Sequence, residues 1–502
     1  MKGIRDTYDL SETERRLSMA ERNQKRLKDE LEDIQSRIAE NQDDDSLVII
    51  AQRKTTQIDM IQANISKLTS EVQAEQITEQ TKQIHEIFGV QNIIRIIDAP
   101  CGKGKTSWAI QYMNDVVNKD KKFIFITPFL DEVDRIKSGC KDRSFKAPVR
   151  LSQGSKSASL KRLLTSGENI VSTHNLFSRI DADTIRLIQM GGYTLILDEV
   201  MDVVRQEHID KHDIEMLISQ DLISVDDNGT VCATENSKGY SGRFDDIILD
   251  ARMNRLIYVD NTLMLWQFPV DIFNAFDEVY NLTYMFDGQI QKYYYDFNNV
   301  QYRYHSVELT DGRYKLTGYD PVNGDIEFRR IVKEYLRIYN GPLNLIGKGK
   351  YDLSVSYHNK ASAPILKKIQ NNTYNFFRNV SKGNKSKDNM WTCFKGQQDK
   401  LKGNGYAKGF VEFNARATNQ YRHKTTLAYL VNRFPRTAIN RYFQTKDIKI
   451  DADQYALSEL IQWVWRSQIR NGKSINLYIP SSRMRGLLHD WIDGKVSIDL
   501  AA

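Results

Sequence analysis

The chain has 502 residues, 40% hydrophobic and 10% aromatic, enough for two or three domains with cores of their own. Its formal net charge of +6 and pI of about 8.8 mildly favour an anionic partner, without separating a nucleic-acid binder from other basic proteins. No apolar run nears the ~18 residues of a membrane span, and no apolar stretch of a secretory signal opens the chain. Four scattered cysteines, Cys101, Cys140, Cys232 and Cys393, suit neither a disulfide framework nor a zinc site, so a reducing cytoplasm is expected.

Residues 9 to 80 contain neither Pro nor Gly and are rich in Glu, Gln, Lys and Arg. Leu27, Leu31, Ile34 and Ile38, and then Ile58, Ile61, Ile65, Leu68 and Val72, recur at spacings of three and four. This is the rhythm of a coiled coil. The turn formers "NQDDDS" at 41 to 46 interrupt it. The pattern predicts an antiparallel helical hairpin over 1–82, with a continuous helix dimerising in parallel as the alternative. Its acidic tip repels phosphates, so a protein partner or self-association through residues 9–80 is expected there.

From about residue 85 short apolar runs alternate with helical patterns. "IIRIID", "KFIFIT", "ENIVST" and "YTLILDE" each read as a buried strand, continuous and β-branched or aromatic. Strands separated by helices predict parallel βαβ units. Tyr, Asn and Asp with the turn signals "TDGR" and "PVNGD" predict a connector β-hairpin over 296–330. Beyond it, "MWTCF", "GFVEFNA" and "SINLYIP" read as strands, and 452 to 470 as one long helix. The expected architecture is α/β, with one domain over 83–295 and a second over 331–502.

Ala99-Pro100-Cys101-Gly102-Lys103-Gly104-Lys105-Thr106 fits the phosphate-binding loop G-x-x-x-x-G-K-[ST], with Ala in place of the first Gly. Loop and helix N–H groups wrap phosphates there. Gly102 and Gly104 allow close backbone approach. Lys105 is expected to reach the β- and γ-phosphates and Thr106 to ligate Mg²⁺, with Lys103 and Ser107 flanking the bound ATP. Cys101 lies inside the loop, and its thiol is expected to be drawn toward thiolate by the same donors. The strand "YTLILDE" ends in Asp198 and Glu199, and two carboxylates at the end of a buried strand call for a metal. Asp198 is expected to hold Mg²⁺ through water, and Glu199 to activate the attacking water.

Together, this loop and "DEVM" resemble the DExx-box helicases and translocases of superfamily two. The resemblance implies two RecA-like domains that sandwich ATP and grip a nucleic-acid strand. By order along the chain, "ITPFLDEVDRI" corresponds to motif Ia, implying phosphate contacts at Thr127 and Pro128. "IVSTHNLFSR" resembles motif Ic, with Thr173 and His174 near the strand. "NLTYMF" stands where motif III belongs, with Thr283 coupling nucleotide state to strand binding. "FNARATNQYRHKTTLAYLVNRF" resembles motif V around Thr418 and Asn419. "QWVWRSQIR" resembles motif VI, giving Gln462 and the candidate arginine fingers Arg466 and Arg470, with Trp465 where Gly is usual. Arg466 and Arg470, four apart, are expected on one helix face. The wording of the chain resembles bacteriophage and mobile-element proteins, which implies a bacterial host cytoplasm. Residues 367 to 410 hold ten Lys or Arg against two acidic residues, with interleaved aromatics. Lys382, Lys385 and Lys387 are expected phosphate contacts. DNA is favoured over RNA as partner because Met201 departs from the DEAD and DEAH boxes. A phage packaging ATPase, or a non-motor switch acting through the helical arm, are the rival readings.

Overall fold

The computed structural model describes residues 12–40, 45–88, 93–150, 155–382, 384–414 and 420–495. It divides into two compact units, Met1–Gln91 and Asn92–Ala502. In the first unit, helices α1 (Glu12–Glu40) and α2 (Asp45–Phe88) run antiparallel. Gln24 donates to Gln62 at 2.5 Å and Lys54 pairs with Glu30, fixing that direction. Ile34, Leu47, Ile65, Leu68 and Val72 are buried along the seam, while the intervening polar residues face water.

The second unit is mixed α/β. In chain order its first strands are β1 (Ile94–Asp98), β2 (Lys122–Thr127), β3 (Ile170–Thr173) and β4 (Tyr193–Asp198). Five short strands follow, β5 (Val204–Gln206), β6 (Ile223–Val225), β7 (Thr230–Ala233), β8 (Leu256–Val259) and β9 (Leu263–Gln267). Then come β10 (Glu278–Thr283), β11 (Tyr302–Thr310) and β12 (Arg313–Gly318). The last four are β13 (Leu336–Ile338), β14 (Asn389–Thr392), β15 (Thr426–Tyr429) and β16 (Ile475–Tyr478). The first sheet has the order β12-β11-β1-β10-β4-β2-β3, and only β12 is antiparallel to its neighbour. Ile94, Ile96, Ile97, Phe123, Phe125, Leu195, Ile196 and Leu197 are all buried, because helices cover both faces. The last sheet, β13-β16-β15-β14, is wholly parallel.

Three expectations are corrected here, and one element was not expected at all. The hairpin 302–318 is not a free connector: β11 pairs with β1 and extends the first sheet. The segment "GFVEFNA" forms no strand among its described residues, only a bridge from Phe410 to Trp391, and "TLAY" takes the place instead. The helix begun at Ala452 stops at Val464 rather than 470. Beyond the break Ser467 donates its hydroxyl to the Val464 carbonyl at 2.7 Å and caps the short turn Gln468–Asn471. Lastly, β5 to β9 make a separate antiparallel sheet, β5-β9-β8-β7-β6, that no sequence pattern announced. Its strands run three to five residues, too short for periodicity. One usable signal was the turn Asp260-Asn261, both at positive φ (51° and 50°), which joins β8 to β9.

Candidate active site

Three strand ends build one wall of a cleft. β10 lies between β1 and β4, and its register sets Thr283 beside Asp98 and Leu282 beside Asp198. The loop of residues 99–106 therefore leaves the sheet one strand away from the strand that ends in the two acids. Asp98 anchors the loop's base. Its carboxylate is buried and accepts the backbone N–H groups of Met285 (3.0 Å) and Phe286 (2.8 Å). Burial nonetheless pushes its pKa up to about 7.

Gly102 (φ 87°) and Gly104 (φ 94°) hold the loop in the left-handed region, which other residues enter at a cost. A Cβ on Gly104 would also strike the Tyr314 ring at 2.1 Å. Lys105 is buried and folds back onto the loop, donating to the Ala99 carbonyl at 2.5 Å and the Pro100 carbonyl at 3.2 Å. Thr106 donates to Asp198 at 3.2 Å. Burial raises the Asp198 carboxyl to about 7, with Glu199 and Glu132 adding to the rise. Glu199 adopts a positive φ of 68°, a strained conformation of the kind stored at functional sites. Its Oε2 is buried and has no hydrogen-bond partner. A buried carboxylate oxygen left without a donor, next to a second carboxylate and a hydroxyl, is chemistry that suits a hard divalent ion and its water. Thr106, Asp198 and Glu199 thus fit Mg²⁺.

The opposite wall comes from the body of the last sheet, β13-β16-β15-β14. Gln462, Trp465, Arg466 and Arg470 line the same cleft of about 260 Å³ as Gly102, Gly104, Lys105, Thr106, Ser107, Asp198 and Glu199. Gln462 donates to the Tyr284 carbonyl at 3.4 Å, and Arg466 is buried. The two arginines arrive through a break in the helix and not on one helical face, yet both reach the cleft. Sequence reasoning missed Glu132, Arg135 and Tyr314, which also line it. Glu132 is buried and paired with Arg135 at 3.0 Å, so a carboxylate inside the "FLDEVDRI" helix was the available signal. Lys103 is exposed and lies outside the lining. The Cys101 thiol is corrected: burial pushes it up to about 11, against the pull of Lys105, so it stays protonated.

A second groove of about 540 Å³ gathers Pro128, Phe129, His174, Arg205, Asn414, Arg433 and Arg436. His174 Nε2 lies 3.1 Å from the Asp198 carbonyl, which links the groove to the acid strand. Thr173 caps the short helix that begins at His174 and is half-buried. Thr127 and Thr283, the last residues of β2 and β10, are both fully buried, so neither side chain is presented at the surface of this structure. Lys382, Lys385 and Lys387 are exposed, but they precede β14 and so lie at the opposite strand end from Arg433 and Arg436, which follow β15. Thr418 and Asn419 lie outside the described residues.

Residues 330–492 match the model of the YonV C-terminal Rossmann-like domain, and residues 204–266 that of the YonV middle domain, the segment of the antiparallel sheet. The chain is 44% identical over 411 residues to the SPbeta prophage-derived uncharacterized protein YonV of Bacillus subtilis (strain 168), covering 80% of this chain and 99% of that one. Among solved structures, it is similar to the DUF1998 helicase MrfA bound to DNA and AMPPNP, at 11% identity and a TM-score of 0.30. That match covers 83% of this chain and half of the other. MrfA bound to DNA alone gives 12% identity and a TM-score of 0.29. TM-scores this low do not establish a shared fold.

Proposed function

The chain belongs to the YonV family, and we propose that it is a nucleic-acid-stimulated ATPase of the superfamily-two helicase or translocase type, acting on DNA. One observation carries the reading: a single cleft holds Lys105, Thr106, Asp198 and Glu199 on one wall and Gln462, Arg466 and Arg470 on the other. In this reading 83–295 and 331–502 act as two RecA-like domains around the nucleotide.

Lys105 is released from the loop carbonyls to the β- and γ-phosphates, a charge-assisted exchange that favours the bound state. Thr106 and Asp198 hold Mg²⁺, whose charge screens the phosphate oxygens when it is bound. Glu199, already positioned by its strained backbone, takes the proton of the attacking water. Arg466 or Arg470 stabilises charge on the transferring phosphoryl group, worth roughly 10³ to 10⁵ in rate. The second groove, with Pro128, His174, Arg205, Arg433 and Arg436, is assigned to the strand. Its closure would draw the two walls together and make hydrolysis depend on DNA. Residues 9–80 are assigned to a protein partner or to self-association.

The test is the steady-state ATPase rate with no nucleic acid, single-stranded DNA, duplex DNA and RNA. A rise of tenfold or more with DNA supports the motor. A rate indifferent to every strand supports a non-motor switch acting through the helical arm. No turnover in any arm removes the ATPase assignment.

A further inference from the structure

Position 465 is where the resembling motif carries Gly, and this chain carries Trp. The indole is not a surface ornament. Its Cζ2 lies 3.4 Å, and its Nε1 3.5 Å, from where a Cβ on Gly102 would stand. The ring therefore rests on the phosphate loop itself. Phe328 backs it from behind, with ring centroids 4.4 Å apart. Nε1 is buried and has no hydrogen-bond partner. A buried N–H without an acceptor is unfavourable, and Trp465 lines the cleft, where a ligand can supply the acceptor. Across the loop, the Tyr314 ring covers Gly104 in the same manner. Lys105 meanwhile spends its ammonium on the loop's own carbonyls. At about 260 Å³ the cleft is slightly below the ~300 Å³ at which ligand pockets begin.

We propose that the Trp465 indole N–H is a phosphate donor: a nucleotide seated in the loop supplies the missing acceptor, and the last sheet's body is thereby tied to the loop at Gly102. The inference rests on the ATPase reading of this cleft. Indole is a donor only, so it discriminates for an anion in the loop and gains nothing from an empty one. Because the ring sits beside Arg466 in sequence, the hydrogen bond that satisfies Nε1 also holds the arginine at the cleft. Trp465 is then a positioning residue as well as a phosphate contact, and occupancy of the loop is sensed before any charge develops in the reaction.

Trp465→Phe keeps an aromatic ring beside Gly102 and Phe328 while removing the donor. Affinity for a fluorescent ATP analogue, measured with Mg²⁺ on the full chain, is expected to fall about tenfold, the scale of one hydrogen bond to a charged group. In protein labelled with ¹⁵N at the tryptophan indoles, the Nε1–H resonance absent from Trp465→Phe is expected to move on adding ADP. This second readout holds even if the variant folds poorly in quantity, because it is read on the wild-type chain. Unchanged affinity in Trp465→Phe, or an unmoved Trp465 resonance at saturating ADP, overturns the inference. Lys105→Ala separates the two levels. If it abolishes analogue binding while Trp465→Phe binds as wild type, the ATPase reading stands and the donor role falls. If Lys105→Ala also binds as wild type, the nucleotide is not in this cleft and both fall.

Discussion

The two walls of the cleft are made in different ways. The first is three adjacent strand ends, with Asp98, Asp198 and the phosphate loop locked by sheet register and by backbone hydrogen bonds. The second is the unwound end of one helix, where the α-helix stops at Val464 and Arg466 and Arg470 reach the cleft from the turns that follow. A wall fixed by a sheet suits holding a ligand in one place. A wall hung on a helix end suits arriving late, as a trigger would. On the proposed reading the first wall binds nucleotide and the second commits it to hydrolysis.

The sharpest way to break this comparison is Lys105→Ala. It removes the one ammonium buried in the loop, so ATP binding and turnover should both be lost, turnover by more than about 10³-fold. Isothermal titration beside a steady-state assay checks it; a folded variant that still turns ATP over would sink the division of labour. Next come Arg466→Ala and Arg470→Ala, made separately. One of them should lower DNA-stimulated turnover by about 10³-fold while leaving nucleotide affinity within tenfold. Losses under tenfold in both would mean that the second wall is not a trigger.

A smaller effect probes the anchoring of the first wall. Asp98 titrates near 7 in the native state and near 4 when unfolded, so between those values the native chain holds the extra proton. Stability from this group is therefore greatest at low pH and falls as pH rises from about 4 to about 7. Asp98→Asn cannot titrate. The difference in urea-unfolding free energy between it and wild type should shift by more than about 1 kcal/mol in favour of Asn from pH 5 to pH 8. A constant difference would show that Asp98 is not protonated inside the fold.

The least effect is expected at Cys101. With its thiol pushed up to about 11, Cys101→Ser should leave turnover within about twofold, and a thiol reagent at pH 8 should inactivate slowly. Rapid inactivation that ATP prevents would restore the thiolate reading.

Legibility from sequence followed the same division as the walls. The phosphate loop and the acid pair are contiguous residues after continuous apolar strands, so their identities and their strand-to-turn context could be read directly. Arg466 and Arg470 were singled out by the order of motifs and line the cleft, while the helix expected to present them ends earlier, at Val464. Arg135 and Tyr314 escaped because nothing in their own neighbourhoods marks them, and Glu132 offered only a carboxylate within an apolar-faced helix; all three matter through what lies across the cleft. Thr127 and Thr283 came from the order of motifs, which carries no information on burial, and both prove fully buried.

The sequence by itself determined the local elements whose causes are local: the heptad spacing of two long helices, the apolar runs of the parallel strands, the glycines that let the loop turn. Only the tertiary structure decided which ends meet. It joined the 302–318 hairpin to β1, built a separate sheet from strands of three to five residues, and carried Trp465 across to rest on Gly102. These depend on pairing and packing between residues far apart in the chain, whose energies are summed over surfaces that no short window of sequence contains.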